Sequence, residues 1–199
     1  SQGESRILFN NAHSGAESQK ATFIISGHGQ VIAQSGRTAL TQDSNYTGIT
    51  RIDANASLIL TNPHATGYSD VINNGELIIG DEMDSSPTEY IIRKSENDVL
   101  GGGNLINNGV IRFGQSGKIH GEKLTIHGDY VGGSERAPSF IEFDTDPTTL
   151  KTDLLEVHGN TSGKTKILFR NSEKWGGHDL EGIKSVSYTH LRAHETGRN

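Results

Sequence analysis

The sequence predicts an all-β chain arranged as a parallel β-solenoid, in which short strands stack coil upon coil. Three observations carry this expectation. Apolar residues fall into clusters of about five, each bounded by Gly, Asn, Asp or Ser and rich in β-branched or aromatic side chains. Among 199 residues there are 25 glycines and only 4 prolines, while hydrophobic residues reach 32% and aromatics 6%. That composition suits many turns and no single large core. The third observation is a near-repeat, I-N-N-G followed by a short apolar run and Gly, at Ile72–Gly80 and again at Ile106–Gly114.

In chain order the clusters are Gln30–Ala33, Ser57–Leu60, Glu76–Ile79, Val110–Phe113, Leu124–Ile126, Phe140–Phe143, Leu154–Val157 and Lys166–Phe169. Several alternate apolar with polar residues, the period of a strand with one buried face. No segment sustains helical periodicity over ten or more residues. Between Gln42 and Ala54, for example, stand Asn45, Gly48 and two threonines.

The repeat supplies the reason for stacking. Asn73, Asn74 and Gly75 correspond to Asn107, Asn108 and Gly109. Asparagine tolerates left-handed corners, and asparagines on successive coils can exchange side-chain hydrogen bonds. The competing reading makes each I-N-N-G a type I′ hairpin turn in an antiparallel sheet. The clusters are short and lack matched partner strands, which favours stacking, with roughly eight coils of about 20–25 residues at about 4.8 Å per rung.

Charge and residue usage exclude several functions. The net charge is −6, and 18 Lys and Arg residues are scattered without a basic block, so no face is built for nucleic acid or an anionic membrane. The absence of cysteine removes thiolate metal sites, thiol catalysis and disulfides. No apolar run is long enough to span a bilayer as a helix. The chain opens at Ser1 with neither Met nor a signal peptide, and it reads as an internal fragment.

Two stretches resemble autotransporter passengers of Gram-negative bacteria. Gly36–Thr61 is similar to the passenger-associated strand repeat, with Asn45-Tyr46-Thr47-Gly48-Ile49-Thr50 followed by Ile52, Ala54, Leu58 and Leu60. Ile49 and Ala56 stand where that repeat usually has Gly, so this copy is diverged. Leu124–Val186 resembles the autochaperone region that ends such passengers. Leu124–Gly132 matches its "L-T-I-x-G-(N/D)-Y" opening, Asp153–Thr165 its "D-x-L-x-V-x-G-N-T-S-G-x-T" signature, and Gly182-Ile183-Lys184 its "G-I-(K/R)".

The resemblance implies a right-handed, single-stranded parallel β-helix of the pectin-lyase-like, pertactin-like kind. It implies passenger coils over 1–115, autochaperone-like terminal coils over 116–186, and an inward face formed by Leu124, Ile126, Tyr130, Ile141, Phe143, Leu154, Val157 and Ile167. Residues 187–199 resemble a vector-derived read-through and are expected to stand outside the fold; a native polar linker is the other reading.

Candidate chemistry is sparse. Glu142, Asp144 and Asp146 share one face of a strand with Phe140, opposite Ile141 and Phe143, as a solvated outer row. Asp81-Glu82-Met83-Asp84 lacks the glycine and spacing of a calcium loop. Gly101-Gly102-Gly103-Asn104 lacks the aspartate of a calcium-binding β-roll. Gly27-His28-Gly29 has no following helix to hold a phosphate. His127 and His158 each precede Gly after a cluster, at equivalent corners, without the converging carboxylates a metal needs; His120 is a third histidine of the same region.

No nucleophile-elbow context surrounds any Ser. The expectation is therefore a non-catalytic segment with no cofactor and no metal. It would form a surface stalk on the outer membrane and assist passenger folding there. Its expected partners are its own downstream outer-membrane β-barrel, with a host surface or self-association as further possibilities, and neither nucleic acid nor a direct membrane span. An adhesin built on Thr, Asn and Ser ladders and a polysaccharide-acting β-helix enzyme are the alternatives.

Overall fold

A computed structural model describes residues 5–11, 17–80, 89–96, 103–114, 121–146, 151–171 and 186–188. These form strands and turns, with no helix among them. In chain order the strands are β1 (Arg6–Asn10), β2 (Gln19–Ala21), β3 (Gln30–Leu40), β4 (Ile49–Ile52), β5 (Ala56–Leu60), β6 (Asp70–Asn73), β7 (Glu76–Ile79), β8 (Glu89–Ile92) and β9 (Leu105–Asn107). They continue as β10 (Val110–Phe113), β11 (Lys123–Ile126), β12 (Tyr130–Val131), β13 (Ser139–Asp146), β14 (Lys151–Thr152), β15 (Leu154–Val157), β16 (Thr161–Ser162), β17 (Thr165–Asn171) and β18 (Val186–Tyr188).

The strands pile into three stacks. The first runs β1, β3, β4, β6, β9, β12, β16; the second β2, β3, β5, β7, β10, β13, β17; the third β8, β11, β15, β18. Among the described residues every strand pairing is parallel except β13 with β14, and an isolated antiparallel bridge joins Gly133 to Lys164. The sheet is therefore mixed and curled. Leu77 and Ile111 face each other in parallel register, which removes the hairpin reading of I-N-N-G.

The long strand β3 belongs to two stacks because it bends. Its first half pairs with β1 and β4 and its second half with β2 and β5. Gly36 makes the bend at φ +69°, where an added Cβ would lie 2.3 Å from the Asn11 carbonyl oxygen. Positive φ and close backbone approach both demand glycine.

Alternation fills the interior. Thr50 and Ile52, Val71 and Asn73, Leu105 and Asn107 point inward from the first stack. Leu58, Leu77, Ile111, Ile141 and Phe143 do so from the second, and Tyr90, Ile92, Leu124, Ile126, Leu155 and Val157 from the third. Their apolar members belong to one continuous buried cluster that runs from Ala21 to Val157. Stacking places like side chains over like: the rings of Phe113 and Phe143 lie 5.2 Å apart and those of Phe143 and Phe169 5.9 Å.

Each buried aliphatic or aromatic side chain contributes about 1.5–3 kcal/mol, so the core is assembled level by level. Stacked residues are not evenly spaced in sequence. Ser57 and Glu76 are 19 apart, Asn73 and Asn107 34, Arg112 and Glu142 30, Asp144 and Arg170 26. Most of these intervals exceed the expected 20–25 residues, because the extra length lies between strands.

One expectation needs correction here. Val186–Tyr188 forms β18 and pairs with β15, Glu156 opposite Ser187 and Val157 opposite Tyr188. Residues 187 and 188 therefore belong to the fold, because Val-Ser-Tyr has strand propensity and β15 offers an unpaired edge. The acidic run at 81–84, Gly101, Gly102, His120 and Gly182–Lys184 lie outside the described residues.

Candidate functional site

The polar groups of interest are stacked ladders and one buried acidic cluster. At the inner corner of the first and second stacks, Asn73 Nδ2 donates to Asn107 Oδ1 at 2.9 Å, and both residues are fully buried. Asn73 Nδ2 also donates to the Val110 carbonyl at 2.9 Å. Asn107 Nδ2 donates to the Tyr130 hydroxyl at 3.2 Å and to the Phe140 carbonyl at 3.3 Å. The Tyr130 hydroxyl meets Thr165 Oγ1 at 2.8 Å, and Thr165 meets Ser139 Oγ at 2.9 Å.

Outside this corner Asn108 Nδ2 donates to Asn74 Oδ1 at 3.0 Å. Asn73 and Asn107 themselves are extended strand residues. They end their strands, and their Oδ1 atoms accept the N–H of Gly75 (3.2 Å) and Gly109 (3.3 Å) as Asx turns. Gly109 is glycine for space: a Cβ there would stand 2.1 Å from the Gly75 carbonyl oxygen.

A second ladder was not foreseen from the sequence. Asp70 Oδ1 accepts the Asn104 N–H at 2.8 Å, Asn104 Oδ1 that of Asp129 at 2.8 Å, and Asp129 Oδ1 that of Asn160 at 2.7 Å. Asp70 opens β6, and the other three immediately precede β9, β12 and β16. The signal available was Asn or Asp at the entry to each strand. Toward the N-terminal end, Thr50 Oγ1 bridges the Tyr46 hydroxyl and Ser69 Oγ, the latter at 2.6 Å. Burial pushes the Tyr46 phenol up to about 12, opposed by its bonds to Thr50 and Ser69.

The predicted inward residues are placed as follows. Leu124, Ile126, Ile141, Phe143 and Val157 are at most 2% exposed, and Tyr130 is 5% exposed. Leu154 is only half-buried, and Leu155 occupies the inward position in register with Leu124. The correction follows from parity, since Leu155 and Val157 share a face and Leu154 does not. Ile167 lies in register with Ile141 but is 43% exposed. With Tyr130, Ile141 and Leu155 it lines an open pocket of about 220 Å³.

The outer row on β13 also differs from expectation. Glu142 is partly buried and accepts from Arg112 Nε at 2.7 Å, with Arg170 Nε 3.6 Å away; Arg112 also pairs with Glu76. Asp144 is 2% exposed rather than solvated. Strand β14 folds back beside the end of β13, and Arg170 Nε reaches Asp144 Oδ1 at 3.1 Å. Burial raises the Asp144 carboxyl to about 6, and the Arg170 charge opposes that shift. Both carboxyls are thus engaged by arginines.

Asp153 was also missed as a polar anchor. It is fully buried at the entry to β15, beside Glu122 (2% exposed) at the entry to β11. On the third stack's outer face Lys123 pairs with Glu89 at 2.9 Å and with Glu156, while the rings of His127 and His158 stack at 5.1 Å. No family model, curated protein or solved structure matches this chain.

Proposed function

We propose that the chain is a non-catalytic segment of an autotransporter passenger. In this reading it is a right-handed parallel β-helix that stands as a stalk on the outer membrane of a Gram-negative cell. Its coils over 116–186 promote passenger folding during secretion. Right-handedness rests on the general preference for right-handed crossovers between parallel strands.

The observation that supports the reading best is the superposition of the two autochaperone-like motifs. Lys123-Leu124-Thr125-Ile126 lies in register with Leu154-Leu155-Glu156-Val157, and Tyr130-Val131 with Thr161-Ser162. Motifs that resemble consecutive signatures of one family thus lie on consecutive levels of the third and first stacks. A stacked terminal level lowers the free energy needed to dock the next, because nucleation is the unfavourable step in a one-dimensional array.

The test is surface display of the passenger fused to its outer-membrane barrel. Leu155→Asp is expected to abolish display and protease resistance while the barrel still inserts. Unchanged display and unchanged resistance would refute the folding role. A gene whose downstream sequence lacks alternating strands of about ten residues would refute the assignment to this secretion system.

A further inference from the structure

Among the described residues, six of the eight exposed large apolar side chains belong to the first and last levels of the stack. Leu8 lies on β1, and Phe23 and Ile24 follow β2; Ile167, Leu168 and Phe169 lie on β17, the last 57% exposed. Both ends also present strand edges. Among the described strands, β1 and β2 pair only with β3, while β16, β17 and β18 pair on one side each, with β12, β13 and β15. At the last level the interior opens as the pocket of about 220 Å³ walled by Tyr130, Ile141, Leu155 and Thr161.

A strand edge beside exposed apolar surface is a template for a further strand. Which strand fits is set by the contact that already joins the levels. Within the chain one level meets the next through parallel strands, first stack on first and second on second. The open β16–β17 face continues that contact, and the β1–β2 end of a second copy is a level of the same kind. Two β17 edges meeting antiparallel about Leu168 would instead set Lys166 against Arg170, a pairing of like charges.

Register follows from the columns of paired residues. One column runs from Lys20 through Ala39, Ile59, Ile78, Arg112 and Glu142 to Leu168. Another runs from Ile7 through Val31, Thr50, Val71, Leu105 and Tyr130 to Thr161. A second copy continuing both columns sets its Lys20 over Leu168, its Ala21 over Phe169 and its Ile7 over Thr161, at the mouth of the pocket. The small Ala21 leaves room for the exposed ring, and the Lys20 stem covers Leu168.

We propose that the chain associates head to tail, the β16–β17–β18 end of one copy seated on the β1–β2 end of the next. Such a contact is heterologous and does not close on itself, so the product is a lengthening rod. Its charges oppose it. Lys20 arrives between Lys166 and Arg170, and only Arg170 is answered, by Asp144 and Glu142. The joint is held by apolar burial and main-chain pairing, and added salt tightens it. This inference stands whether or not the chain is secreted as proposed.

Sedimentation of the full chain over a concentration series reaching about 1 mM tests it. The average mass is expected to climb past the dimer without a plateau, and further in added salt. Leu168→Lys sets a second cation against Lys20 and should hold the mass at the monomer. Leu168→Lys combined with Lys20→Glu should restore the climb, because the new pair is complementary. A parent that stays monomeric, a plateau at the dimer, a Leu168→Lys chain that still assembles or a double variant that does not would overturn the proposal. Should Leu168→Lys fail to fold by circular dichroism, Lys20→Glu alone decides: it should assemble at lower concentration than the parent, and equal or weaker assembly refutes the register.

Discussion

The side chains of Asn73 and Asn107 meet head to tail, 34 residues apart in sequence and one level apart in the stack. Neither amide reaches water, and each also serves its own turn glycine. Removing one partner orphans groups on the other, at about 1–3 kcal/mol for each buried polar group left unpaired. Asn107→Ala should therefore lower stability by more than the same change at exposed Asn108. Urea unfolding of both variants and the Asn73→Ala/Asn107→Ala double mutant measures the coupling; strict additivity would mean that the amides act independently.

Glycine at two positions answers different demands. Gly109→Ala sets a methyl group against the Gly75 carbonyl and must push two levels apart. Gly27→Ala meets nothing within 4 Å and strains only a φ of +101°. Both variants should be destabilised, Gly109→Ala by the larger margin, above about 2 kcal/mol against about 1. Chemical denaturation would show it, and equal losses would contradict the close approach.

The aromatic pile offers a core test. Phe143 stacks between Phe113 and Phe169 and is wholly buried. Phe143→Ala is expected to cost about 3–5 kcal/mol. Proteolysis should then cut the C-terminal levels earlier than those around Leu58, because each level leans mainly on its neighbours.

Acid should weaken the third stack. Glu89 is held below its ordinary 4.5, first by the Thr125 hydroxyl and then, after opposing burial, by Lys123. Glu156 is lowered by its bond to Lys123, against burial, and by His158. Depressed acids contribute stability that is present above about pH 4.5 and lost as pH falls. The unfolding midpoint should therefore fall as the pH drops below about 4.5. Lys123→Met should flatten the acid limb, and a midpoint that rises steadily below pH 4 would refute the assignment.

How far the sequence speaks depends on which residues face inward. All eight apolar clusters lie within strands; seven send aliphatic or aromatic side chains into the core, while Ile167, Leu168 and Phe169 of the eighth are exposed. Strands β6 and β9 were hidden because their inward pairs are Val71 with Asn73 and Leu105 with Asn107, so a buried amide interrupts the apolar alternation. Ile106, by contrast, is 36% exposed. The asparagine pairing was visible in the repeat, although the Asx turn that uses it was not. At Leu154-Leu155 two adjacent leucines offered both parities, and agreement with Val157 selects the second. Asp144 read as surface, and Asp153 only as part of a motif, because nothing local announces that β14 will fold back or that Glu122 will stand opposite.

The uneven separation of stacked residues, 19 at one level and 34 at another, leaves the ladders in register regardless. Backbone inserted between one strand and the next is thus invisible to the levels above and below, as a drawer pulled out of a cabinet leaves its neighbours shut. Evolution or an engineer can lengthen one excursion to carry a new epitope and leave the cabinet standing.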